Sequence, residues 1–256
     1  MKVLFLNYEY PPLGGGAGNA TQYLLREYAK ISDLEVHLVT SSADAETYRE
    51  NIGGAVTIHR VPIGKNTSNL HYQSVKDILT YAWRGYGFAK RLMRDGSFNA
   101  IHAFFTVPCG AMAFFLAWRF GVPYIVSLRG ADVPGFSERF GSWYAVLRPA
   151  IRLIWRNAFA VVSASVGLRT LAYRTAPRQI ISVIPNGIDV DEFSVSRGSA
   201  DGRLRVLSTS RLTPRKGLRY LIEALALLRD RYALSDVEVV LVGDGHERSS
   251  LERLAR

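Results

Sequence analysis

The chain has 256 residues, 48% apolar and 21% charged, enough for one large or two ordinary globular domains with a sizeable core. Its net charge of +10 is uneven: residues 1–185 carry 20 Lys and Arg against 11 Asp and Glu, and residues 186–256 carry 12 against 11, so an anionic partner is expected on the first part. A single cysteine, Cys109, excludes an internal disulfide, Asn7 and Glu9 interrupt any secretory leader, and no run of about 20 apolar residues would span a bilayer, so the expected address is cytoplasmic.

Lys2–Asn7 reads as a buried strand. It is followed by a turn rich in Pro and Gly (Pro11, Pro12, Gly14, Gly15, Gly16, Gly18) and by a helix from about residue 20 to 30. Glycine lets backbone N–H groups approach a phosphate or sugar. The register fits G-x-G-x-x-G only in part, and the next strand, Val36–Thr40, ends in Ser41 and Ser42 with no acid to hold a ribose. A dinucleotide oxidoreductase is therefore disfavoured, and the missing Gly-Lys-Ser/Thr argues against a P-loop.

Val56–Val61 is expected as the third strand, residues 64–69 as a loop and Val75–Met93 as a long helix carrying Lys76, Arg84, Lys90 and Arg91. A strand over Asn99–Phe105 places His102 near its end, bordering a cleft or packed in the core. The helix Gly110–Phe120 has apolar residues on most sides (Met112, Phe114, Phe115, Leu116, Trp118), which predicts burial.

Val122–Leu128 reads as a strand with Arg129-Gly130-Ala131-Asp132-Val133-Pro134-Gly135 at its carboxyl end, where ligands bind in open α/β sheets. Arg129 and Asp132 are expected to bind a phosphate and a hydroxyl, or else to pair with each other. Arg148, Arg152 and Arg156 share one arc of the helix Ser142–Asn157, and with Trp143 and Trp155 they suggest contact with an anionic membrane face. A hydrated basic face is the alternative. No nucleic-acid motif is found.

Ala160–Ser163, Val166–Tyr173 and Ile180–Ile184 continue the alternation, and Pro185-Asn186-Gly187-Ile188-Asp189 opens a crossing to a second domain. Asp189 and Asp191 form a D-x-D without a second ligand cluster and are read as turn chemistry, so no metal is expected. Leu204–Thr209 is a strand, Arg211–Gly217 a loop and Leu218–Arg229 an amphipathic helix. Arg211 and Lys216 bracket that loop, so both cations can converge on one polyphosphate beside a helix N-terminus. Val237–Val242 with Gly243-Asp244-Gly245 repeats the strand-loop pattern.

Pro-Pro-Leu-Gly-Gly, Ser-Leu-Arg-Gly-Ala-Asp-Val-Pro-Gly, Pro-Asn-Gly-Ile-Asp and Arg-Leu-Thr-Pro-Arg-Lys-Gly-Leu together resemble family 4 glycosyltransferases. The resemblance implies an α/β GT-B fold of two Rossmann-like parallel-sheet domains: 1–185 on the acceptor side, a linker at 186–202, and 203–256 as a partial nucleotide-sugar domain. It also implies retaining, metal-independent transfer from a nucleotide sugar to a glycan or lipid-linked acceptor, with no cofactor beyond that substrate. Gly15, Gly16, Arg211 and Lys216 would hold the diphosphate. His102, Arg129, Gly130 and Asp132 would line the acceptor side, and Gly243 and Asp244 the nucleotide pocket. The family commonly has histidine at the position of Arg129, so no general base is carried over and the catalytic residue is unassigned. The family's E-x7-E carboxylates would lie beyond residue 256, which implies a C-terminally truncated chain. A nucleotide-sugar epimerase and a non-catalytic binding module stay open.

Overall fold

The computed structural model describes residues 1–65, 70, 73–136, 141–194, 204–232 and 236–256. The expected loop at 66–69 and most of the expected linker, from 195 on, lie outside them, as does the side chain of Trp143. The chain forms two compact units, Met1–Val190 and Asp191–Arg256.

In the first unit, eight strands form one sheet in the order β3-β4-β2-β1-β5-β6-β7-β8. They are β1 (Lys2–Leu6), β2 (Glu35–Ser42), β3 (Tyr48–Ile52), β4 (Val56–Pro62), β5 (Ala100–Phe104), β6 (Tyr124–Leu128), β7 (Ala160–Ser163) and β8 (Ile181–Val183). All pairings are parallel except β3 with β4. The antiparallel edge strand β3 escapes the hydrophobic pattern because its sequence, Tyr-Arg-Glu-Asn-Ile, is polar. Gly53 turns the chain at φ 58°, and Arg60 Nε donates to Glu50 across the pair at 2.7 Å.

The helices are α1 (Gly16–Tyr28), α2 (Val75–Asp95), α3 (Ala111–Phe120), α4 (Gly141–Asn157) and α5 (Val166–Tyr173). Right-handed crossovers send α1 to one face of the sheet and α2 through α5 to the other, because β1→β2 runs opposite to β4→β5→β6→β7→β8. Leu4, Leu6, Ile101, Ala103 and Val126 are fully buried beneath the α2–α5 layer. The strand order reverses between β1 and β5, which makes their carboxyl ends the topological switch point.

Two expectations about helices are corrected. α3 is not buried on all sides: Met112, Ala113 and Leu116 pack inward, while Phe115 is 54% and Trp118 81% exposed, since no second layer lies outside this helix among the described residues. Of the two tryptophans of α4, Trp155 is fully buried, and its Nε1 donates to Thr106 Oγ1 at 2.8 Å, so it is a core residue and not a surface anchor.

The second unit pairs β9 (Leu204–Thr209) in parallel with β10 (Val237–Val242), accompanied by α6 (Leu218–Tyr232) and α7 (Arg248–Leu254). Only Leu212, Leu218 and Leu251 form its buried cluster, and Leu207 and Val242 stay largely exposed. Two βα pairs cannot cover both faces of a parallel sheet, so this unit has little core of its own.

Candidate functional site

Three loops gather at the switch point of the first sheet. The turn after β1 is held by Glu9, whose Oε2 accepts the Gly15 N–H at 3.2 Å, and Gly14 takes a left-handed φ of 94°. Helix α1 then begins at Gly16, earlier than the sequence suggested. It has no acidic residue in its first turn, and the Glu9 carboxylate bonded to the Gly15 N–H is the negative charge that meets its positive end. A Cβ built on Gly15 or Gly16 would meet no protein atom within 4 Å, which leaves room for a ligand to approach the backbone.

The loops after β5 and β6 are tied together by Asp132. Its Oδ1 accepts the N–H groups of Arg129 (2.9 Å) and Gly130 (3.0 Å), and its Oδ2 accepts the N–H (2.8 Å) and Oγ1 (3.0 Å) of Thr106. The carboxylate is 5% exposed and fully engaged, so it anchors the turn and is not offered to a ligand hydroxyl. Burial raises its pKa, against the lowering by those donors. Gly130 has φ 114°, and a Cβ there would meet the Phe136 ring at 2.5 Å, so this tight turn requires glycine.

Arg129 does not pair with Asp132 through its side chain. The guanidinium lies over the Phe104 ring, 3.4 Å from its centroid, and an Nη donates to Asn186 Oδ1, while Nε is buried without a partner. Desolvation lowers its pKa to about 10, so it stays a cation at neutral pH. His102 stands in the middle of β5 and not at its end. Its ring packs on Phe5 and Phe104 at 4.5 and 5.3 Å, and Nε2 bonds Ser127 Oγ at 2.7 Å. Burial, then Arg129, pushes its pKa down to about 3, so it is a neutral packing residue. Phe105, which the sequence did not single out, takes a left-handed φ of 70° where β5 meets its loop. Such strain in a non-glycine residue costs about 1 kcal/mol and clusters at functional edges.

In the second unit, the loops after β9 and β10 are strapped together. Leu212 N–H donates to Asp244 O at 2.9 Å, Ser210 N–H to Val242 O at 3.0 Å and Glu247 N–H to Leu212 O at 3.2 Å. Gly243 and Asp244 are therefore neighbours of the Arg211 loop. Pro214–Lys216 form a 3-10 turn, Gly217 closes it at φ 66°, and α6 starts at Leu218 with no acid in its first turn. Arg211 and Lys216 are both exposed on this turn, and no ion pair engages either among the described residues. The turn thus carries two exposed cations immediately before the start of a helix.

Arg148, Arg152 and Arg156 are exposed on α4, and Arg152 Nε donates to Thr175 O at 2.6 Å. Asp189 precedes and Asp191 lies within a 3-10 turn over Val190–Glu192, and among the described residues no cluster of His, Cys, Asp and Glu has metal-binding geometry.

The glycosyl transferase 4-like domain model matches residues 15–187, and the glycosyl transferases group 1 model matches 189–256. The chain is 24% identical to the uncharacterized glycosyltransferase MJ1178 of Methanocaldococcus jannaschii, over 98% of this chain and 62% of that protein. It is 27% identical to the GDP-mannose-dependent alpha-(1-6)-phosphatidylinositol monomannoside mannosyltransferase of Mycolicibacterium smegmatis, over 99% of this chain and 63% of the relative. It therefore spans less than two thirds of the length of these relatives. The E. coli structure described as trehalose-6-phosphate bound with UDP-2-fluoro glucose superposes with a TM-score of 0.65 at 11% identity, covering 99% of this chain and 68% of that one. That likeness is one of fold, and the fold is GT-B.

Proposed function

Because the chain belongs to the glycosyl transferase 4-like family, we propose that it takes part in moving a sugar from a nucleotide-sugar donor to a glycan or lipid-linked acceptor, with retention and without a metal. The observation that carries the reading is the Arg211–Gly217 turn, where Arg211 and Lys216 are both exposed and Gly217 leads directly into the start of α6. Charge building on a departing diphosphate is stabilised there by the two cations and the helix start. Gly243 and Asp244, strapped to the same turn, border the nucleotide. On the first unit, Gly15 and Gly16 leave open backbone at the start of α1 for a donor phosphate to approach, and Arg129 offers a positive charge on the acceptor side. The setting is synthesis of cell-surface polysaccharide or glycoconjugate. It is peripheral to an anionic membrane face, which the exposed Arg148 and Arg156 favour.

Calorimetric titration with nucleoside diphosphates, alongside a donor-hydrolysis assay, tests this reading. Arg211→Ala and Lys216→Ala should each weaken diphosphate binding by roughly tenfold to a hundredfold, the worth of a charge-assisted contact. Binding and turnover unchanged in both would refute the assignment.

A further inference from the structure

We propose that Arg129 receives a negatively charged sugar, one bearing a carboxylate or a phosphate monoester, and so sets the substrate class of the first unit. The need for an anion comes from the geometry alone, and only its attachment to a sugar rests on the glycosyl-transfer reading. Arg129 follows β6, whose neighbour β5 flanks the switch point. Phe104 covers one side of its guanidinium and Asn186 Oδ1 accepts from one Nη, so the fork is held in place. Its other Nη has no acceptor among the described residues and, unlike Nε, is not buried. That end of the fork, beside the exposed Asn186, is open to a ligand.

Charge balance selects the ligand. Withdrawing a cation from water is costly unless a partner compensates, and an aromatic face recovers only part of that cost. Two other cations of this unit that are almost fully withdrawn are matched: Arg60 Nε meets Glu50 at 2.7 Å, and Lys65 meets Asp77 at 2.8 Å. No carboxylate pairs with the half-buried Arg129 side chain among the described residues. Burial lowers its pKa to about 10 against the opposing pull of Asp132, whose two oxygens are already taken by the turn. A planar guanidinium fork matches carboxylate and phosphate oxygens, and a neutral hydroxyl brings no charge to meet it. The excess of Lys and Arg in residues 1–185 adds a field of the same sign.

Arginine Nε–H signals of the isotope-labelled full chain, followed by NMR while sodium glucuronate, glucose 6-phosphate, inorganic phosphate or glucose is added, test it. The Arg129 signal, identified by its absence in Arg129→Gln, should shift with glucuronate, with glucose 6-phosphate or with both, and the one that acts tells carboxylate from phosphate. Glucose should leave it unmoved, and inorganic phosphate should bind more weakly than the sugar anion. Asn186→Asp puts a carboxylate where the amide oxygen now meets the guanidinium. It should weaken sugar-anion binding by roughly tenfold or more, the worth of a charge-assisted contact. That position is exposed, so the variant keeps the fold even where Arg129→Gln loosens it. No shift with either sugar anion, glucose or inorganic phosphate binding as tightly as they do, or an affinity untouched by Asn186→Asp would each overturn the proposal. UDP and GDP, titrated by calorimetry into the same protein, report on the transfer reading separately. Their failure to bind would count against that reading and leave the anion result at Arg129 in place.

Discussion

The Arg129 guanidinium stacks on the Phe104 ring at 3.4 Å because parallel pairing sets Ser127 beside Phe104, and Arg129, two residues further on, emerges on the same face of the sheet. The stack turns the cation back over the aromatic cluster that includes His102.

This proximity gives the first prediction. Replacing Arg129 with Gln removes the nearest positive charge and should raise the His102 pKa from about 3. The value should nevertheless stay below 6.5, because burial is the larger cause of the depression. Titration of the His102 ring by NMR in both proteins measures this. An unshifted His102 would mean that the cation is not seated over Phe104 in solution.

The second prediction concerns pH and stability. His59 bonds His37 Nδ1 through Nε2 at 2.9 Å and packs on Phe88, and burial followed by His37 lowers its pKa to about 4. A base with a depressed folded pKa binds fewer protons folded than unfolded between the two values. The stability it supports is therefore complete above about 6.5 and drains away as pH falls toward about 4. The thermal midpoint should drop across that window, and less steeply in His59→Gln. A midpoint flat from pH 6.5 to 4 would contradict the buried, neutral assignment.

The Asp132 anchor leads to a third. Asp132→Asn puts an amide N–H against the donors of Thr106 or of Arg129 and Gly130, and it removes the charge that four hydrogen bonds share. The cost should be about 3 kcal/mol, lowering the melting temperature by roughly 6–12 °C. A change under about 1 kcal/mol in denaturant unfolding would show that water replaces those bonds at little cost.

A fourth prediction tests the strapped loops of the second unit. A Cβ at Gly243 would sit 1.9 Å from Ser210 O, a backbone atom that cannot swing aside, at φ 150°. Gly243→Ala should therefore abolish nucleoside-diphosphate binding in calorimetry. Gly167→Ala, where the added carbon meets nothing within 4 Å, should leave it intact. Equal affinities would separate the Gly243 loop from the anion site.

The sequence by itself determined the alternation of strands and helices, because apolar periodicity and Gly/Pro punctuation are local properties of the chain. It also determined the glycine turn at 14–16 and the bracket of Arg211 and Lys216. Tertiary structure alone decided what lies across from each apolar residue. Trp155 and Trp118 both lie on helices rich in apolar residues, yet one is in the core and the other in solvent. Likewise Asp132 looked available until its four donors were in place, and His102 looked like a strand end until β5 ran past it. The physical reason is common to all of these. Periodicity fixes which direction a side chain points, but burial and hydrogen bonding depend on whether another segment, distant in sequence, occupies the space it points into.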